Sequence, residues 1–379
     1  MKMEAYRYSR PEGWSTKSFQ DLDSAQTLVL AFCAPEYYED RTPLDALHAA
    51  YPSSKIIGCS SAGEILDSSV NDQSIVAGVA KFEHTELRLA SARIADGNNS
   101  FAAGQEIAKQ LARDDLQGVF ILSPGTDVNG SELVKGIYSI FSTPIPVTGG
   151  LAGDGDRFER TWTVFEGEVH EGRAVAIGFY GDRVRIGYGS GGGWDIFGPM
   201  RRVTESSGNI LFSLDDKPAL TLYKRYLGER AAGLPATALL FPLAIRSDTA
   251  NRREVVRTVL AIDEEHQSMT FAGDIPSGSL AQLMKANVDR LIDGALLAAQ
   301  NAAHVQAQSA PAMSVAVSCV GRRLVMSGRT DEELEITLDT MPDDTRQIGF
   351  YSYGEIAPVD NSPSDLHNQT MTVTVLSES

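Results

Sequence analysis

The sequence predicts an α/β protein of two domains, with mixed β-sheets flanked by helices and built from repeated strand-helix-strand units. Three observations lead there. The octapeptide Gly58-Cys-Ser-Ser-Ala-Gly-Glu-Ile65 returns almost three hundred residues later as Gly349-Phe-Tyr-Ser-Tyr-Gly-Glu-Ile356, with Gly, Ser, Gly, Glu and Ile at matching places. Each copy ends a unit of strand, amphipathic helix and strand: residues 26–33, 43–51 and 55–58 in one, 313–319, 331–339 and 346–349 in the other. Residues 118–123, 131–140 and 145–150 follow the same plan and end at Gly149-Gly150, without the glutamate. The glycines are expected in turns at strand ends, where open α/β folds place ligands.

Between these units, residues 161–165, 174–178 and 184–188 alternate as short strands separated by Gly, Asp and Glu, the pattern of an antiparallel meander. The stretch from Ser190 to Trp194 is a glycine loop where backbone approaches a ligand or another strand. An amphipathic helix is expected from Ala219 to Leu227, with Gly228 as its C-cap. Strands at 237–244 and 253–260 come next, followed by a long helix from about Gly278 to Gln308 whose apolar residues recur every three or four positions. The expected division is 1–222 and 223–379.

Bulk properties set the class. A chain of 379 residues with 42% hydrophobic and 22% charged content supports a sizeable core. A net charge of −17 argues against nucleic-acid and anionic-membrane partners, which need clustered Lys and Arg. The cysteines Cys33, Cys59 and Cys319 are widely spaced, so neither a disulfide framework nor a CxxC metal site is indicated. The start of the chain lacks the apolar stretch of a signal peptide, and no run approaches a membrane span, so a cytoplasmic location is expected.

Enzyme motifs are sparse. The chain has no P-loop, HExxH or GxSxG, and the GxGxxG match at Gly187, Gly189 and Gly192 closes a meander rather than opening a helix. Ser61 or Cys59 as the nucleophile of a hydrolase is an alternative, but Ser61 lies in a spacing unlike a nucleophile elbow. Glu64 and Glu355 follow glycines, where a carboxylate caps backbone N–H groups or holds an ammonium. Gly149 and Gly150 begin a glycine-rich segment able to cradle a carboxylate, while Asp154 and Asp156 beside it disfavour phosphate. Arg322 is a candidate for holding a ligand carboxylate bidentately. The six histidines show no metal-ligand spacing. His367 stands out just before the terminal strand.

The segments 57–64, 149–154, 174–177 and 193–194 resemble the FIST sensory domain, and 318–322, 349–356 and 366–371 resemble its C-terminal companion. The resemblance covers nearly the whole chain. It implies a non-enzymatic ligand-binding module of signal transduction, taking small molecules such as amino acids. For a ligand of that kind, Ser61, Gly63, Glu64, Gly149, Gly150, Trp194, Arg322, Tyr353 and Glu355 are the expected binding residues, in a site between the two domains with Glu64 and Glu355 facing one cleft. One branch of the family implies haem, nitric-oxide sensing and regulation of a partner histidine kinase. In that reading His367 is the first axial ligand to the haem iron, with Cys59, Cys319 and Tyr353 behind it. No kinase or receptor segment is seen, so output is expected through a partner, with homo-oligomer formation left open.

Overall fold

The computed structural model describes residues 1–95, 99–141, 145–246, 254–304, 311–358 and 363–379. The strands fall into three equivalent units and one inserted subdomain. The first unit is β1 (Lys2–Ser9), β2 (Gly13–Trp14), β3 (Thr27–Cys33), α1 (Thr42–Ala50), β4 (Lys55–Ser60), β5 (Glu64–Leu66), β6 (Ser69–Asn71) and β7 (Ser74–Lys81). The second is β8 (Glu86–Arg93), α2 (Ser100–Leu111), β9 (Leu116–Ser123), α3 (Gly130–Tyr138), β10 (Val147–Leu151), β11 (Thr163–Phe165), β12 (Glu168–His170) and β13 (Arg173–Tyr180).

The third unit opens with β14 (Val184–Gly191) and is interrupted by the subdomain. That insertion comprises β15 (Asp195–Ile196), β16 (Arg201–Ser207), β17 (Ile210–Leu214), β18 (Lys217–Pro218), α4 (Ala219–Leu227), β19 (Leu243–Arg246), β20 (Glu254–Arg257), β21 (Val259–Asp263), β22 (Ser268–Phe271) and β23 (Leu280–Lys285). The unit resumes with α5 (Val288–Ala303), β24 (Met313–Cys319), α6 (Val320–Met326), α7 (Thr330–Asp339), β25 (Arg346–Ser352), β26 (Gly354–Pro358), β27 (Ser364–His367) and β28 (Met371–Glu378).

Three sheets repeat one order. They run β12-β11-β4-β3-β7-β1-β2, β27-β26-β10-β9-β13-β8 and β6-β5-β25-β24-β28-β14. In each, a parallel pair (β3/β4, β9/β10, β24/β25) is joined by a helical crossover, as parallel strands require. The hairpin after each pair does not stay in its own sheet. β5–β6 joins β25, β26–β27 joins β10, and β11–β12 joins β4, so the hairpins pass round a ring from one unit to the next.

Side-chain alternation explains how the sheets pack. On β3, Leu28, Leu30 and Phe32 enter a core shared with Phe120 of β9, Val317 of β24 and Phe350 of β25. Phe32 stacks on Phe350 with centroids 4.7 Å apart. Val29, Ala31 and Cys33 point the other way, against Leu44 and Leu47 of α1. Strands covered on both faces read as continuous apolar runs, which is how these appear in the sequence. Among the described residues, no helix is long and apolar enough to cross a membrane.

Several expectations change. The meander over 161–189 is dispersed: β11–β12 lies in the first sheet, β13 in the second and β14 in the third. The glycines of β14 meet α5 instead of a ligand or a strand. A Cβ on Gly187, Gly189, Gly191 or Gly193 would collide with the carbonyl oxygen of Ala302, Ala298, Gly294 or Arg290 respectively. Two strand residues advance about 6.6 Å and four helix residues about 6 Å, so the two periods match and backbone lies against backbone.

The long helix begins late. Asn287 accepts the N–H of Arg290 and caps α5 at Val288, while residues 280–285 pair as β23 with β19. Residues 305–308 and Arg253 lie outside the described residues. Residues 236–240 form a 3₁₀ turn before β19, and the expected 253–260 strand divides into β20 and β21. The expected boundary at 222/223 falls inside α4, whose C-cap Gly228 is as anticipated.

Candidate functional site

The C-terminal ends of the three parallel pairs meet. Gly58, Gly149 and Gly349 lie within strands, not turns. A Cβ there would collide with the carbonyl oxygen of Ala31, Ile121 or Ala316, so glycine lets each pair close up. Two residues on, Ser60, Leu151 and Tyr351 offer carbonyls; four residues on, Ala62, Gly153 and Tyr353 offer N–H groups. Gly153 N donates to Ser60 O at 3.0 Å, Tyr353 N to Leu151 O at 3.2 Å and Ala62 N to Tyr351 O at 2.8 Å. This closed ring is the local form of a pseudo-threefold relation.

The repeated glutamates brace the ring. Ser61 donates to Glu64, and both the N–H and the hydroxyl of Ser74 reach the other carboxylate oxygen at 3.1 and 2.7 Å. Glu355 repeats this with the Ser352 hydroxyl at 2.6 Å and the N–H and hydroxyl of Thr370 at 3.1 and 2.9 Å. In the register of the donated hairpins, Glu64 and Glu355 correspond to Thr163, whose hydroxyl donates to Arg173 O at 2.8 Å. Both glutamates are buried. Burial raises Glu64 to about 8 and Glu355 to about 7, against the hydroxyl donors that favour the ionised form. They face their own turns rather than one common cleft.

The other expected residues are similarly engaged. Arg322 is fully buried on Glu333 at 2.7 Å and on the carbonyls of Gly192 and Leu291, both at 2.7 Å. Glu333 also takes the hydroxyls of Ser318 and Tyr351. Trp194 is buried, and its indole N–H donates to Gln369 O at 2.9 Å. Gly150 pairs with Glu355 across the β10–β26 ladder, and Gly63 has φ +133°. Ser61 is buried with Glu64 as partner, and burial raises the Cys59 thiol well above its ordinary value, an arrangement that leaves neither poised as a nucleophile.

A haem does not fit the residues expected to hold it. His367 is buried on β27 with Nε2 3.1 Å from Ala357 O, and Cys59 and Cys319 are buried in strands. Tyr353 hydrogen-bonds Asp154, and its ring stacks on Phe158 at 4.3 Å. The clefts of about 480 and 880 Å³ described below have no His, Cys, Tyr or Met in their walls. No metal-binding cluster of three or more His, Cys, Asp or Glu occurs among the described residues.

Beside the ring opens a cleft of about 480 Å³ whose walls include Ala62, Asp72, Asp156, Val320, Arg323 and Asp331. All three units contribute. Asp156 comes from the 154–161 excursion of the second unit, which Asp154 folds by accepting the N–H groups of Phe158, Glu159 and Arg160 at 3.0, 3.0 and 2.8 Å. Arg323, on α6, donates to Ala62 O at 2.5 Å and to Asp72 at 2.6 Å, with its guanidinium 5.5 Å from the Tyr351 ring centre. A side chain on Gly63 would collide with it.

Arg323, Asp72 and Asp331 were missed by the sequence reading. The adjacent pair Arg322-Arg323 was the available signal, because consecutive helix residues point about 100° apart and one of them faces outward. The cleft joins one guanidinium to three exposed carboxylates.

Comparison with known proteins gives the family. Residues 27–217 match the FIST N domain and 219–358 the FIST C domain. The chain is also 26% identical over 163 residues to an uncharacterised protein of Methanocaldococcus jannaschii, an alignment that spans 39% of this chain and 31% of that protein. The chain thus belongs to the FIST family, and its two FIST domains imply a sensory, ligand-binding role in signal transduction.

Proposed function

We propose that this protein senses a small amino-acid-like zwitterion in the cleft beside the pseudo-threefold ring, and that a partner protein reads its occupancy. The observation that carries the reading is Arg323, lodged over Gly63 with one exposed carboxylate, Asp72, as its charged partner. Asp72 is largely exposed while Arg323 is mostly buried, so a ligand carboxylate that reaches the guanidinium can displace Asp72. Asp156 and Asp331, in the same walls, then attract the ammonium group.

The site lies where open α/β sheets bind ligands, outside the carboxyl ends of parallel strands. Because the walls come from all three units, a ligand there links segments distant in sequence, and a partner touching any of them meets a changed surface. Calorimetric titration with a panel of amino acids tests the reading. A binder is expected whose affinity falls at least roughly tenfold in Arg323→Ala. Affinity untouched by that substitution, or no binder in the panel, overturns it.

A further inference from the structure

A second cleft, of about 880 Å³, opens where the inserted subdomain meets α6, and Leu324 lines both clefts. Its apolar part is built on two touching phenyl rings, Phe197 and Phe241, whose centroids are 6.3 Å apart. A cation rests over each ring. The Arg230 guanidinium lies 5.3 Å from the Phe241 centroid, and Lys285 Nζ lies 5.8 Å from that of Phe197. Leu240 and Val325 extend the apolar wall.

Neither Arg230 nor Lys285 has an ion pair among the described residues, and Asp195, opposite Lys285 on β15, is taken by Arg290. Glu229, in the same wall, pairs with neither. Phe197 and Leu324 remain 38% and 44% exposed, so apolar surface and the two cations face the same space. Cations over aromatic rings keep their full charge for an incoming anion, while the rings supply a flat apolar floor.

We infer that this cleft binds an amphipathic organic anion. Its hydrophobic body lies on Phe197 and Phe241, and its carboxylate or sulfonate sits at the cationic rim of Arg230 and Lys285. Such a ligand answers both features at once: a neutral apolar molecule leaves the cations unused, and a small inorganic anion leaves the rings bare. The site is separate from the zwitterion cleft and does not depend on its assignment.

The test is titration of the full chain with 1-anilinonaphthalene-8-sulfonate, an aromatic sulfonate, followed by its fluorescence. Saturable binding of one molecule per chain is expected, weakened at least roughly tenfold by Lys285→Gln or Arg230→Gln and by Phe197→Ala. Lys109→Gln, which removes a distant exposed charge, should leave it unchanged, and circular dichroism should show all variants folded. Decanoate should displace the dye and decanol should not. Absence of saturable binding, affinity unaltered in the folded charge variants, or equal displacement by decanol overturns the proposal.

Discussion

Glu64 and Glu355 are two solutions of one structural problem. Each takes a hydroxyl from the serine three residues before it and both the N–H and hydroxyl of a residue at the start of a returning strand, Ser74 in one case and Thr370 in the other. Removing either carboxylate strands three buried donors. Glu64→Ala and Glu355→Ala should each cost about 2–4 kcal/mol in urea unfolding, with zwitterion affinity unchanged in the folded fraction. An affinity loss without a stability loss would return them to the ligand.

Their titration gives a pH dependence of definite sign. Glu64 is raised by burial from 4.5 to about 8, so the folded state holds a proton that the unfolded chain releases between those values. Stability from this group is fully present below about 4.5 and is lost as pH rises through about 8. Glu355 acts likewise, from 4.5 to about 7. Glu64→Gln should therefore flatten the decline in unfolding free energy between pH 5 and 8; a parallel curve would show that Glu64 does not titrate there.

The glycines of β14 make a test with its own control. Gly189→Ala and Gly191→Ala drive a methyl into the carbonyls of Ala298 and Gly294, so each should cost about 2 kcal/mol or more. Gly192 has nothing within 4 Å of such a methyl, and Gly192→Ala should stay within about 0.5 kcal/mol. Thermal melts of the three variants decide it.

Adjacent arginines should separate structure from binding. Arg322→Ala leaves Glu333 buried and uncompensated and should cost about 3–5 kcal/mol. Arg323→Ala loses the Asp72 pair and a carbonyl contact, a loss of about 1–2 kcal/mol, while ligand affinity falls. Equal destabilisation by both would remove the distinction.

Haem gives a further check. His367→Ala should leave any absorbance change on haem addition as it is in the parent, because Nε2 already lies at Ala357 O within a buried strand. A Soret shift present in the parent and lost in the variant would reverse that reading.

Much of the fold was legible because both faces of its central strands are covered. Apolar runs at 26–33, 118–123 and 313–319 and the helical patterns between the strands mark the parallel pairs directly. The candidate site was less so. Glu64, Glu355 and Arg322 drew notice as charges near glycines, but a charge binds ligand only when its own turn has not already satisfied it. Arg323 looked like its neighbour until α6 was seen to turn one inward and the other toward Ala62.

By itself, then, the sequence determined the repeated strand-helix-strand units and the family. Local periodicity and close backbone approach leave marks on residue type. Only the tertiary structure decided that the meander is shared among three sheets, that the hairpins pass in a ring and that residues 280–285 form a strand. Strand pairing between distant segments uses backbone groups that every residue carries, so the choice of partner is not written in any one segment.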